Sequence, residues 1–156
     1  GQVEHEAELA VVIGKKGRWI DPGNVKEFIL GYTIANDVTA RDLQRKDGQW
    51  SRAKGFDTFC PLGPWIETDI DPADLLITCR VNGELRQMAS TKEMIFSVPK
   101  IVSYISNIMT LFPGDVILTG TPAGVGQINH GDMIEIEIDG IGVLKNSVKQ
   151  QEMLYH

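Results

Sequence analysis

Cysteine is scarce in this sequence: 156 residues hold only Cys60 and Cys79. Neither belongs to a CxxC pair, which sets aside a zinc ribbon or a disulfide framework, and two neutral thiols suit a reducing, cytoplasmic setting. Basic residues are also outnumbered, 15 against 21 acids, for a net charge of −6 and a pI near 5.0. Such a surface repels phosphate backbones, and no basic stripe offsets it, so nucleic acid is not an expected partner. Apolar runs such as Ile117-Leu118 fall far short of the roughly 20 residues a membrane helix needs, and no membrane partner is expected. No repeat, linker, low-complexity tract or signal peptide is visible. An acidic protein that handles acidic substrates must draw local positive charge from a metal or from a few placed Lys and Arg.

Glycine, by contrast, is abundant at 16 residues without a collagen-like period, which points to many turns and therefore to strands. Glu8 to Ile13 is a β-branched apolar run closed by Gly14, the pattern of a strand. Asp21-Pro22 supplies an N-cap and a first-turn proline, with Val25, Phe28 and Ile29 on one helical face and Gly31 as its terminator. A strand from Tyr32 to Val38 follows, then a helical turn at Ala40 to Gln44 and a polar loop from Arg45 to Arg52. Two prolines between Phe59 and Ile66 leave at best an edge strand. Leu75 to Val81 and Glu84 to Met88 flank the hairpin turn Asn82-Gly83. The clearest helix starts at Ser97-Val98-Pro99 and places Ile101, Val102, Ile105, Ile108 and Met109 at helical spacing. Strands at 116–119, 134–138 and 141–148 complete the chain. With two helices and no βαβ rhythm, residues 1–156 read as one strand-dominated α+β domain. The chain opens at Gly1 without an initiator Met and runs almost at once into a strand, so a preceding N-terminal segment is expected.

Chemistry concentrates in few places. In Glu6-Ala7-Glu8, extended residues two apart face one side, so both carboxylates project together. A hard divalent cation, Mg²⁺ or Mn²⁺, would relieve their repulsion in an all-oxygen site, and Asp37, at another strand end, is the natural third ligand. A solvated strand face carrying two acids is the bland alternative. His5-Glu6 lacks the second His of an HExxH site, His130 falls in a turn and His156 ends the chain. Gly120 to Gly126 is glycine-rich but lacks the Lys-Ser/Thr of a phosphate loop; the Thr121 hydroxyl and nearby backbone N–H groups could meet a carboxylate, or form a plain turn. Lys54 alone reads as a surface charge, and Arg41-Asp42 as a structural ion pair.

Taken together, these segments resemble the fumarylacetoacetate hydrolase family, in its branch of acylpyruvate hydrolases, oxaloacetate decarboxylases and hydroxyheptadienedioate isomerases. The matching stretches are Glu6-Ala7-Glu8-Leu9 with Val12-Ile13-Gly14, Gly31-Tyr32-Thr33, Asn36-Asp37-Val38-Thr39-Ala40-Arg41-Asp42 and Lys54-Gly55-Phe56-Asp57. They continue through Pro61-Leu62-Gly63-Pro64, Val81-Asn82-Gly83-Glu84, Met94-Ile95-Phe96, Pro113-Gly114-Asp115-Val116-Ile117 and Thr119-Gly120-Thr121-Pro122-Ala123-Gly124-Val125-Gly126. The resemblance implies a mixed β-sandwich roll, assembled as a homodimer, with Mg²⁺ (or Mn²⁺) on Glu6, Glu8 and Asp37. It implies that Lys54 stands beside the oxo or enolate oxygen of a small oxo-acid substrate, that Thr121 with Gly120 holds a substrate carboxylate, and that Arg41 and Gln44 lie near the metal.

The implied chemistry is a metal-stabilised enolate of a 2-oxo or 2-hydroxy-dienoic dicarboxylic acid, leading to isomerisation or decarboxylation. Acylpyruvate- or fumarylacetoacetate-type C–C hydrolysis and a non-catalytic oxo-acid-binding role are the alternatives. None of the three histidines matches the family's N-terminal water-activating His-Glu pair, so hydrolysis is expected to need residues upstream of Gly1.

Overall fold

Every residue from Ala7 to Ile13 is buried, the pattern of a strand covered on both faces. The computed structural model describes residues 1–151 and places this strand, β2, inside a sheet. Its neighbours are β3 (Ile29–Asn36), β8 (Val116–Leu118) and, beyond β3, β5 (Leu62–Glu67), all antiparallel. A second antiparallel sheet runs in the order β11 (Gly142–Ser147), β10 (Met133–Ile138), β6 (Leu76–Val81), β7 (Glu84–Ser90). Leu9, Val11 and Ile13 from the first sheet meet Ile77, Cys79, Ile136 and Ile138 from the second in one core. A small third sheet joins β4 (Thr39–Ala40), β1 (Val3–His5) and β9 (Gly126–Gln127). Glu6 is the hinge between β1 and β2, and so between two sheets. This strand-dominated α+β architecture is the expected one, with β5 at a sheet edge.

The helices differ more from expectation. Pro22–Phe28 is a 3-10 helix, capped by Asp21 accepting from the Gly23 amide at 2.8 Å. Gly31 does not end it; it lies within β3 opposite Val12. A Cβ there would come within 2.3 Å of the Glu67 carbonyl oxygen, so glycine is required by the close approach of β5, not by a helix terminus. Ladder pairing with β2 pulls Ile29 onward into strand and overrides the helical spacing. The supposed polar loop at Arg45–Arg52 holds the end of helix α1 (Arg41–Asp47) and the start of α2 (Ser51–Lys54).

Helix α3 (Val98–Ile108) forms as expected, yet Ile108 and Met109 are 58% and 53% exposed. Its buried face instead includes Ser103 and Ser106, which hold Ile20: Ser103 donates to the Ile20 carbonyl at 2.7 Å and Ser106 accepts from the Ile20 amide at 2.9 Å. Both cysteines are free, Cys60 half-buried and Cys79 in the core, where burial pushes its thiol up to about 12.

Candidate metal centre

The β2–β3 ladder sets Ala7 opposite Asn36 and Glu8 opposite Ala35, which brings the acid-bearing strand ends together. Asn36, 1% exposed, fixes the junction by accepting the Glu6 amide at 3.0 Å. The Asp37 amide returns a hydrogen bond to the Glu6 carbonyl at 2.9 Å. Alternation along β2 sends Ala7 and Leu9 into the core and Glu8 to the opposite face. Oxygens of Glu6, Glu8 and Asp37 converge within 4.8 Å of one another, close to the roughly 4 Å between opposite ligands of an ion with bonds of about 2.1 Å.

Glu8, 3% exposed, accepts the Gly120 amide at 2.6 Å. Burial, reinforced by the neighbouring charges of Asp37 and Glu6 and opposed by the Gly120 amide, raises its carboxyl to about 7. The Lys54 ammonium lies on Asp37, 3.1 Å from Glu6 Oε2 and 3.0 Å from Thr39 Oγ1. Buried Ala53 anchors the short helix that delivers it. Arg41, at the start of α1, reaches Glu6 at 2.5 Å and buried Glu4 at 2.8 Å, while Gln44 accepts from its guanidinium at 2.7 Å. Arg41 therefore pairs with Glu4 and Glu6, and Asp42 instead accepts from the next amide, Leu43. Four carboxyl groups meet two cations here, so with Glu8 ionised the cluster carries two uncompensated negative charges, which one divalent cation would match. Hard oxygen donors and a partly uncompensated acid cluster fit Mg²⁺ or Mn²⁺.

The glycine-rich loop sits beside this cluster, but its polar groups are already directed inward. The Gly120 amide serves Glu8, and the Thr121 hydroxyl donates to the Ala7 carbonyl at 2.9 Å while accepting from Gln87 at 2.8 Å. His5 is fully buried beneath Glu6, with Nδ1 3.0 Å from Gln87 Oε1. Burial lowers its pKa, and its Nε2 lacks a hydrogen-bond partner among the described residues. His130 accepts the Gln150 amide at an exposed turn; His156 lies outside the described residues.

Glu4, Asn36, Thr39 and Gln87 received no site role from the sequence, although Asn36 and Thr39 lie in a stretch that carries the family resemblance. Asn36 could have been found from its place beside Asp37 at a strand end. Gln87 carries no local mark, because its neighbours Arg86 and Met88 are ordinary exposed strand residues.

Comparison with known proteins agrees with this fold. Residues 1–149 match the family described as fumarylacetoacetate (FAA) hydrolase C-terminal. The structure of a 2-hydroxyhepta-2,4-diene-1,7-dioate isomerase from Mycobacterium marinum superposes with a TM-score of 0.95 at 57% identity, covering 96% of this chain and 59% of that one. A maleylpyruvate hydrolase from Sphingobium sp. SYK-6, in complex with manganese(II) and pyruvate, gives 0.90 at 41% identity, covering 97% and 56%. A mitochondrial oxaloacetate tautomerase of Rattus norvegicus is 46% identical over 158 residues, 94% of this chain and 50% of that protein. The chain thus spans less than two thirds of the length of each of these relatives. Among the described residues, no helix is long and apolar enough to cross a membrane.

Proposed function

The chain belongs to the fumarylacetoacetate hydrolase family, whose named relatives here are isomerases, hydrolases and tautomerases, and on that premise we propose that it carries the divalent-metal core of an enzyme for 2-oxo or 2-hydroxy-dienoic dicarboxylic acids. The reaction is isomerisation or decarboxylation through the substrate's enolate. The single observation that carries this reading is the convergence of Glu6, Glu8 and Asp37 oxygens within 4.8 Å beside a Lys and an Arg. In it, those three residues hold Mg²⁺ or Mn²⁺. When bound, the ion supplies Lewis-acid stabilisation of negative charge on a chelating oxo acid.

The chain's own residues do the rest. Lys54 brings a second positive charge to the oxygen on which the enolate charge develops. Arg41, held by Glu4 and Gln44, keeps Glu6 oriented. Thr121 and Gly120 border the substrate's carboxylate end. The wide family of reactions sharing one enolate explains why neighbours of this chain carry isomerase, hydrolase and tautomerase names. C–C hydrolysis of acylpyruvate or fumarylacetoacetate type is the second reading, favoured by the likeness to the manganese–pyruvate complex of maleylpyruvate hydrolase. We assign a second copy of the chain to the apolar patch on β5, where Leu62, Trp65 and Ile66 are 45%, 56% and 42% exposed, since clustered exposed apolar side chains mark a surface that a partner covers.

Incubating the protein with 2-hydroxyhepta-2,4-diene-1,7-dioate, oxaloacetate and acetylpyruvate, with and without Mg²⁺ or Mn²⁺, tests the reading. Metal-dependent turnover of either of the first two is expected; turnover of acetylpyruvate alone would favour the second reading. Activity that survives both EDTA and Glu8→Ala would overturn the metal mechanism.

A further inference from the structure

We propose that Gln87 is a positioning residue for the oxo-acid site, one that sets the Gly120–Thr121 loop against the Glu6–Glu8 carboxylates; the inference rests on the function proposed above. Gln87 is 1% exposed on β7, an outer strand of the second sheet, whereas the carboxylates belong to the junction of the other two. One side-chain amide therefore links separate layers at the site.

The orientation of that amide follows from its partners. Oε1 accepts the Ala7 backbone N–H at 3.1 Å, and a peptide N–H can only donate, so this atom is the carbonyl oxygen. His5 Nδ1, 3.0 Å from the same oxygen, must then carry the ring proton. Gln87 Nε2 gives its two hydrogens to Thr121 Oγ1 at 2.8 Å and to the Pro122 carbonyl at 2.9 Å. Thr121 in turn donates to the Ala7 carbonyl at 2.9 Å. Both backbone polar groups of Ala7, the residue between the two glutamates, thus belong to the Gln87 network. A second contact fixes the same loop: a Cβ on Gly124 would stand 2.1 Å from the Arg86 carbonyl oxygen, so β7 presses directly on the loop beside Gln87.

The consequence is chemical. A substrate carboxylate needs a donor, but the one Thr121 hydroxyl proton is directed to Ala7. It can be re-aimed by rotation about Cβ–Oγ1 while Gln87 continues to hold the oxygen from the other side. Gln87 is the fixed point of that rotor, and it places the loop at a set distance from the metal-binding carboxylates. It touches neither reacting atoms nor metal; it acts through Thr121 and Ala7.

The test measures Mn²⁺ affinity, then oxalate affinity of the Mn²⁺-loaded protein, by calorimetry for wild type, Gln87→Glu and Gln87→Met. Gln87→Glu keeps the acceptor for Ala7 and His5 but loses both donors to the loop; Gln87→Met loses all four hydrogen bonds. Oxalate binding is expected to weaken about tenfold or more in both, the scale of leaving a buried partner unsatisfied, with Mn²⁺ affinity of Gln87→Glu no weaker than wild type. If Gln87→Met fails to fold, Gln87→Glu with Thr121→Val (weakened) and Thr121→Ser (restored) gives the same reading. Oxalate affinity unchanged in the metal-loaded variants, with only a lower melting temperature, would reduce Gln87 to a structural role and overturn the proposal while leaving the metal reading intact. A wild-type protein that binds no Mn²⁺, or no oxalate when loaded, would instead remove the functional reading and this proposal with it.

Discussion

The Lys54 ammonium lies 3.1 Å from Glu6 Oε2 and also contacts Asp37, so it shares two of the three carboxylates that would hold a divalent ion. An ammonium and a metal compete for those oxygens by simple charge. In the proposed reaction Lys54 is needed for the enolate oxygen and not for the metal.

Lys54→Met should therefore bind Mn²⁺ at least as tightly as wild type, because a competing cation has gone. Turnover should fall by about 10² to 10³, the usual loss on removing one preorganised stabilising group. Calorimetric Mn²⁺ titration alongside steady-state kinetics checks both halves. Weaker metal binding in this variant would mean that Lys54 supports the acid cluster structurally.

Glu8 gives a pH prediction for the metal-free protein. Its carboxyl is raised from the ordinary 4.5 to about 7 in the folded state, chiefly by burial. Between those values the folded chain binds more protons than the unfolded one, so its stability falls as pH rises. The contribution is complete below about pH 4.5 and is lost as pH approaches 7, amounting to at most about 3 kcal/mol. Urea unfolding in EDTA across pH 5–7.5 should show the decline, and Glu8→Gln should flatten it. Saturating Mn²⁺ should reverse the trend, because the metal requires the ionised carboxylate.

Much of this centre was legible before the fold was known. Glu6 and Glu8 are two apart in an extended segment, and strand alternation alone sends them to one side. Asp37 could be read as the end of a second strand. What single-sequence patterning does not carry is the meeting of distant backbone groups: Gly120 on Glu8, Asn36 on Glu6, Gln87 on Ala7 and Thr121. Those contacts are set by sheet register and by the crossing of layers. Gly31 shows the same limit in the fold. Helical spacing of Val25, Phe28 and Ile29 made it a helix terminator, whereas the approach of β5 to the β3 backbone is what requires glycine there.

Asn36 is a supporting residue of this centre. Its side-chain oxygen accepts the Glu6 amide at 3.0 Å at a position only 1% exposed. Asn36→Ala should destabilise the protein by about 1–3 kcal/mol, the cost of an unsatisfied buried donor, and should weaken metal binding by loosening Glu6. Asn36→Asp retains an acceptor but adds a buried carboxyl beside the acid cluster, so its advantage over Asn36→Ala should appear as pH falls and that carboxyl protonates. Chemical denaturation of both variants at acid and neutral pH decides; an equal loss in the two at acid pH would show that the hydrogen bond to Glu6 is not the cause.

The most direct measurement is Mn²⁺ titration of wild type, Glu8→Ala and Asp37→Ala, followed by calorimetry or electron paramagnetic resonance. One ion per chain is predicted, with affinity reduced by about 10² or more in each variant, as befits removal of one of three anionic ligands. Tight binding that is indifferent to both substitutions, or an ion coordinated away from Glu6, Glu8 and Asp37, would contradict the assignment.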